Sequence, residues 1–318
     1  MNKFSKIIVI VALGLAVIGC GLFFTGKALG GSTRFNIGFD NASKPVMITT
    51  EDIVEGSIDL DAFDSIDIRV SSIDFKLCKG DSYKLTYRCS DSLIPEVKVE
   101  NKRLTLKQPK ANVNFSFEFG VDYDFKYVLY VPADKIDTLI DASSSYITVE
   151  DVDIFGRIQT SSGDVQINNS NGKDISVKTS SGEIFFKNAS FDSVTFNSSS
   201  GDMNLNDIAC RKMTLYTSSG EVSINDTNVE EVEITTSSGD INTFLKGSKV
   251  TKFQTSSGEV KSSFEGSVND YSINVKTSSG VIKAGDVKTE KELSLNAGVQ
   301  NVIDCVTTSG DVELSFAK

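Results

Sequence analysis

Apolar residues recur along this chain in step with a short polar phrase. Thr160-Ser161-Ser162-Gly163 returns at residues 179–182, 198–201 (with Ser198 leading), 217–220, 236–239, 255–258 and 277–280, and as Thr307-Thr308-Ser309-Gly310. Gly163, Gly182, Gly201, Gly220, Gly239 and Gly258 are 19 residues apart; Gly280 follows after 22 and Gly310 after 30. Two positions after each glycine stand Val165, Ile184, Met203, Val222, Ile241, Val260, Ile282 and Val312. Five before each stand Ile158, Val177, Phe196, Leu215, Ile234, Phe253, Val275 and Cys305. The seventh before and the fourth after are usually apolar as well, as at Ile175, Met213, Ile167 and Leu205. Apolar positions two apart are strand periodicity with one face inward.

Each repeat therefore reads as strand, turn, strand, turn. The Thr-Ser-Ser-Gly turn fits glycine's tolerance of positive φ and the ability of serine hydroxyls to bond nearby backbone. The second turn is looser and asparagine-rich, as at residues 168–172 and 225–228. No repeat can bury its own apolar face, whereas stacked coils bury a continuous one. The pattern predicts an all-β, single-stranded parallel β-solenoid (β-helix) of about 19-residue coils. An antiparallel meander or sandwich of the same strands is the competing architecture; near-identical phrases every 19 positions favour in-register stacking.

Outside the repeat, residues 7–24 carry no charge and continue through Thr25 and Gly26. About 20 such residues cross the hydrocarbon core as a helix. The reading is a cytoplasmic n-region at 1–6, a single transmembrane helix at 7–26 and a juxtamembrane linker at 27–56. Lys3 and Lys6 favour a cytoplasmic N-terminus, although Lys27 and Arg34 weaken the asymmetry. Val17-Ile18-Gly19-Cys20 also resembles a lipoprotein cleavage box, and cleavage with lipidation at Cys20 is the alternative. Residues 57–135 form an irregular β section and 136–318 the regular coils. Residues 63–87 repeat the strand-and-turn pattern without the glycine. A hairpin is expected at 97–106 with its turn at Asn101-Lys102, and further strands at 113–119 and 125–131 that insert in or cap the stack. Residues 290–304 leave the period, and 307–316 read as the last coil.

The opening at residues 63–68, the Val131-Pro132-Ala133-Asp134 joint and the serial Thr-Ser-Ser-Gly-Asp/Glu coils behind an N-terminal anchor resemble the adhesin, or toastrack-type, β-solenoid family of bacterial envelope proteins, a domain of unknown function. The resemblance covers roughly residues 57–316. It implies a non-enzymatic, membrane-attached protein found with envelope-stress signalling, with no catalytic motif to carry over.

The chemistry on offer is narrow. The 318 residues include no histidine and no tryptophan, and the net charge is −11. Without histidine there is no Ser-His-Asp or Cys-His arrangement and no imidazole metal ligand. An acidic chain is a poor match for nucleic acid. Neither a catalytic residue nor a cofactor is expected. Cys305 falls on an inward apolar position; Cys78 and Cys89 are close enough in sequence to allow a disulfide. Gly163, Gly182, Gly201, Gly220, Gly239, Gly258, Gly280 and Gly310 are assigned to turns.

After these glycines come Asp164, Glu183, Asp202, Glu221, Asp240 and Glu259, then Val281 and Asp311. Stacked about 4.8 Å apart, like charges repel by about 1 kcal/mol per pair in water-like surroundings. Cations, lysines or turn N–H groups can relieve that. A solvated edge that resists aggregation and a divalent-cation ladder are the two readings, although one carboxylate per coil is few for calcium. The expected partners are the membrane, through the N-terminal helix, and a cell-wall polymer or another envelope protein, contacted through residues 97–130 or 290–304. Two further readings are a polysaccharide-active β-helix enzyme, for which these loops are short, and a lattice-binding surface (glycan- or ice-like) built on Thr160, Thr179, Thr217, Thr236 and Thr255.

Overall fold

The computed structural model describes residues 34–39, 45–47, 53–110, 115–118, 124–132 and 135–317. The anchor expected at 7–26 and Cys20 lie outside the described residues.

The alternating strands stack in parallel at a constant 19-residue offset. Residues 165–168 pair with 184–187, 170–172 with 189–191 and 174–178 with 193–197. The same offset carries through Met203–Tyr216 to Val222–Thr235. Each coil thus has three hydrogen-bonded segments, where two strands and two turns were expected. The loose asparagine-rich turn is itself a short strand. Its inward positions are Ser170, Ala189, Ile208 and Thr227, all buried; two polar residues among four hide the apolar period. The corner before this segment is a column of left-handed residues, Asp151, Asn169, Asn188, Asp207 and Asp226, with φ of 59, 52, 51, 55 and 51°. Asparagine and aspartate are the side chains that tolerate this region best. Asn188 Nδ2 donates to Asn169 Oδ1 at 2.7 Å, and Asn169 Nδ2 to Asp151 Oδ1 at 2.8 Å.

The two main apolar columns fill the interior. From Val165 to Val312 and from Ile158 to Cys305, every residue is at most 2% exposed. Burying one such side chain contributes roughly 1.5–3 kcal/mol, and each coil supplies several. Where the fourth position after glycine turns polar, at Thr243 and Ser262, the two buried hydroxyls hydrogen-bond each other at 2.5 Å. A column of buried polar groups is thereby satisfied internally.

The Thr-Ser-Ser-Gly corner is built from hydrogen bonds between and within coils. The threonines are inside: Thr160, Thr179, Thr217, Thr236 and Thr255 are all buried. In the Gly182 coil, Thr179 Oγ1 accepts the Gly182 N–H at 2.9 Å, and Thr160, Thr217, Thr236 and Thr255 do the same for their glycines. This corrects the lattice-surface reading, because these hydroxyls face the turn backbone and not solvent. The N–H groups of Ser180 and Ser181 both donate to Ser161 O in the coil before. The glycines are also required for a different reason than expected. None of the eight turn glycines has positive φ. A Cβ on Gly201 would lie 1.8 Å from Gly182 O, and one on Gly182 2.0 Å from Gly163 O. The stack closes backbone on backbone here, and only glycine fits. Gly201→Ala is expected to cost about 1–3 kcal/mol through this overlap, while exposed Ser200→Ala changes little; paired thermal melts check both.

At the N-terminal end the parallel ladder meets antiparallel strands. Ser65–Val70 lies between Arg103–Lys107 and Lys135–Ala142, parallel to both. Asp74–Lys79 lies between Lys126–Val131 and Ile147–Glu150, again in parallel. Lys84–Ser90 then runs antiparallel to Lys126–Val131 and to Ile53–Asp59. The hairpin of Glu96–Glu100 with Arg103–Lys107 turns at Asn101 and Lys102, both with positive φ.

The C-terminal end departs from sequence order. Asn301–Thr307 pairs in parallel with Val250–Gln254 on one side and Tyr271–Ala284 on the other. Val312–Ala317 likewise pairs with Val260–Glu265 and with residues 282–284. The coil of Gly310 is therefore inserted between those of Gly258 and Gly280, which corrects its reading as the end of the stack. A Cβ on Gly310 would meet Gly258 O at 2.0 Å, and one on Gly280 would meet Gly310 O at 2.3 Å. The interrupted spacings of 22 and 30 follow from this detour. Val287–Leu295 folds back antiparallel on Tyr271–Ala284.

Residues 34–39, 45–47 and 115–118 belong to a second unit. Its described part is an antiparallel sheet in which Arg34–Phe39 lies between Pro45–Met47 and Phe115–Glu118. Residues 34–39 and 45–47, expected as linker, are strands: residues 34–37 pair with 115–118 and residues 37–39 with 45–47.

Candidate functional surface

The acidic column runs along the edge beside the turn glycines. Its alternation of aspartate and glutamate has a geometric basis. Asp164 Oδ1 accepts the Glu183 N–H, Asp202 Oδ1 the Glu221 N–H, and Asp240 Oδ1 the Glu259 N–H, each at 2.8 Å. Asp311 Oδ1 accepts the Val281 N–H at the same distance, following the inserted order of coils. The short side chain reaches the next coil's backbone. Two of the three longer ones find side-chain donors: Glu221 Oε1 accepts from Asn242 Nδ2 at 2.7 Å, and Glu259 pairs with Lys261 at 2.7 Å. Turn N–H groups, an amide and a lysine therefore relieve the stacked charge. Among the described residues, no group of three or more His, Cys, Asp or Glu side chains is arranged to hold a metal ion.

Other surface charges are paired across coils. Lys246 bridges to Asp226, holds its carboxyl below the usual range and lies 5.7 Å from the Phe244 ring centroid. Lys283 pairs with Glu313 at 2.6 Å and lowers its pKa.

Cys78, Cys89, Cys210 and Cys305 are buried and free, so the disulfide considered for Cys78 and Cys89 is absent. Those two lie on different strands, Asp74–Lys79 and Lys84–Ser90, each paired with Lys126–Val131 between them. Burial pushes Cys89 up to about 11 and Cys210 and Cys305 to about 12. At neutral pH these are protonated thiols packed in the core, not nucleophiles. Cys305 occupies the inward column, where its place in the repeat put it.

The irregular stretches expected to hold contacts are largely structural. Within 97–130, residues 111–114 and 119–123 lie outside the described residues, 115–118 belong to the sheet of the second unit, and 97–107 and 126–130 supply the end strands above. Within 290–304, residues 290–295 belong to the fold-back strand and 301–304 to the inserted one.

Repeat reading overlooked one outward-facing feature. Between Val222–Thr235 and Ile241–Lys246 the register slips: Ile224 pairs with Thr243, but Thr227 pairs with Leu245. The corner is one residue short here; the left-handed residue comes later, at Gly247, φ 64°, and the 19-residue offset is restored by Val250. A shallow concavity of about 360 Å³ opens on the outer sheet face, lined by Asn225, Asn242, Phe244, Lys261, Ser263 and Ser315 among others. Phe244 sits between inward Thr243 and Leu245, so strand alternation turns it outward, half-buried. Ser263 Oγ and Ser315 Oγ hydrogen-bond at 2.6 Å in the adjoining coils. The visible signal was Leu245 standing where other coils carry the asparagine or aspartate of the corner.

Among the described residues, no helix is long and apolar enough to cross a membrane. A family model described as Toastrack DUF4097 matches residues 63–315. Similar solved structures include a putative lipid binding protein from Parabacteroides distasonis ATCC 8503, 17% identical, covering 84% of this chain and 97% of that one with a TM-score of 0.49. A putative adhesin from Bacteroides fragilis NCTC 9343 is 11% identical over 84% and 98% of the two chains, TM-score 0.43. A putative cell adhesion protein from Clostridium sporogenes ATCC 15579 is 13% identical over 84% and 100%, TM-score 0.26. No curated protein matches the chain.

Proposed function

Since the chain belongs to the Toastrack DUF4097 family, we propose that it is a non-catalytic, membrane-tethered β-solenoid that works outside the cytoplasm by presenting a rigid polar surface. The observation that carries this reading is the unbroken coil-on-coil ladder, in which neighbouring coils are joined at the sheets and again at the turn backbone. Such a framework holds outward columns at fixed spacing and leaves little freedom for a closing pocket. Regularly spaced polar columns suit a repetitive cell-wall polymer or an extended envelope protein, where many weak contacts add through effective concentration. Turnover needs acid, base and nucleophile at one point. Here the stacked carboxylates engage backbone, amide or lysine partners, and the described thiols are buried in protonated form. Tethering rests on the charge-free run at 7–24 behind Lys3 and Lys6.

A reporter fused after Lys318 is expected to be active only outside the cytoplasm, and Cys20→Ala to leave the protein in the membrane fraction. Cytoplasmic reporter activity would overturn the topology. Release of the Cys20→Ala protein would replace the spanning helix with lipidation at Cys20.

A further inference from the structure

We propose that the outer face around Phe244 is a subsite for an uncharged, β-1,4-linked pyranose chain, an assignment that rests on the surface-presentation reading above. Phe244 is the one aromatic ring of this concavity, turned outward on the strand Ile241–Lys246. The half-buried ring, with Lys246 Nζ 5.7 Å from its centroid, keeps part of its surface outward as an apolar platform for the C–H face of a sugar. The groups around it match a polyol. Asn225 and Asn242 use Nδ2 on Asn206 and Glu221 and leave their amide oxygens to accept, while Ser263 and Ser315 share one hydrogen bond and keep further hydroxyl capacity. A few placed polar groups around an apolar contact are the usual composition of a small-ligand site.

Charge decides against an ionic ligand. Lys261 is paired with Glu259, and Glu313 with Lys283. Lys246, beside the ring, is paired with Asp226. Each charge at the patch has its counter-charge within the protein, so neither a phosphate nor a uronate finds an unpaired partner. Shape decides for a chain. The lining residues occur in pairs on successive coils: Asn242 and Phe244, then Lys261 and Ser263, then Glu313 and Ser315, in direct register. Rows repeat about every 4.8 Å, close to the advance of one pyranose along an extended β-1,4 chain, and such a chain is flat, as this face is. An extended peptide adding to a sheet needs a free strand edge, and here the strands on both sides are already paired.

The test is isothermal titration of the full chain with cellotetraose and with N-acetylchitotetraose, with β-1,4-linked tetramannuronate as the charged counterpart. At least one uncharged tetramer is expected to bind with a Kd below about 1 mM, and tetramannuronate more weakly. Phe244→Ala and, separately, Asn242→Ala should each weaken binding by about tenfold while keeping a single cooperative melt, because neither side chain belongs to the buried columns. Tyr216→Ala, on the face formed by the strand segment 212–216, should leave binding unchanged. The proposal fails if neither uncharged tetramer binds, if tetramannuronate binds best, or if Phe244→Ala binds like the parent. If Phe244→Ala stays in the membrane and captures an envelope partner undiminished, the broader reading survives and the subsite does not.

Discussion

Val222→Asp is expected to unfold several coils, while Ser219→Ala three residues earlier leaves the melt nearly unchanged. Val222 is fully buried, stacked between Met203 in the coil before and Ile241 in the coil after. A carboxylate there has no counter-charge and no donor, and a buried unpaired charge costs on the order of 3–5 kcal/mol. That is a large part of the total stability of a typical domain, about 5–15 kcal/mol. Because coils are stabilised by their neighbours, the loss spreads along the stack. Ser219 points outward, and its contribution is its backbone N–H, which donates to Ser199 O at 3.1 Å and survives the change to alanine. Substitutions of that kind fall within about 0.5 kcal/mol. Circular dichroism melts of the two variants check the pair; equal stability would refute the inward assignment.

Removing residues 300–318 is expected to be still more damaging than its position suggests. In an in-order solenoid the loss of a terminal coil frays one end. Here the lost residues form an inner coil, so the truncation leaves Val250–Gln254 and Val260–Glu265 without partners on one side and Tyr271–Ala284 without partners on the other. Ile303, Cys305, Val312 and Leu314, each at most 1% exposed, leave the core together. At roughly 1.5–3 kcal/mol each, their loss is comparable to a domain's whole margin. The strands uncovered are open edges, which template aggregation. The truncated protein should melt far below the parent, bind a hydrophobic dye and associate. A melt unchanged except at its lower edge would show that the last coil is not inserted.

The sequence made the interior legible because the inward columns keep strict period: knowing where Gly182 stands is enough to place Ile184 and Val177. What it hid depends on the neighbouring coil. Gly201 looks like a residue chosen for positive φ, and only the carbonyl of Gly182, 19 residues away, shows that the constraint is space. Thr179 reads as a surface hydroxyl until its bond to the Gly182 N–H turns it inward. The three-sided coil was obscured because Ser170 and Thr227 are polar yet buried. The insertion of the Gly310 coil was announced by the spacings of 22 and 30, but a spacing does not say which coil is the neighbour. On the surface, the acidic column was visible as a column, whereas the division of labour between aspartate and glutamate is set by side-chain reach. Phe244 escaped notice because one corner of its coil is a residue short while the coil keeps its full 19 residues, so the spacing of the glycines does not show the slip.

Amide hydrogen exchange of the full chain, read by mass spectrometry, tests the stacked and interlocked ladder most directly. Chain termini ordinarily open first. The inserted coil predicts the reverse: peptides covering Asn301–Thr307 and Val312–Ala317 should be as protected as those covering Val250–Gln254 and Val260–Glu265. Rapid exchange across residues 301–317, with 250–284 still protected, would contradict it.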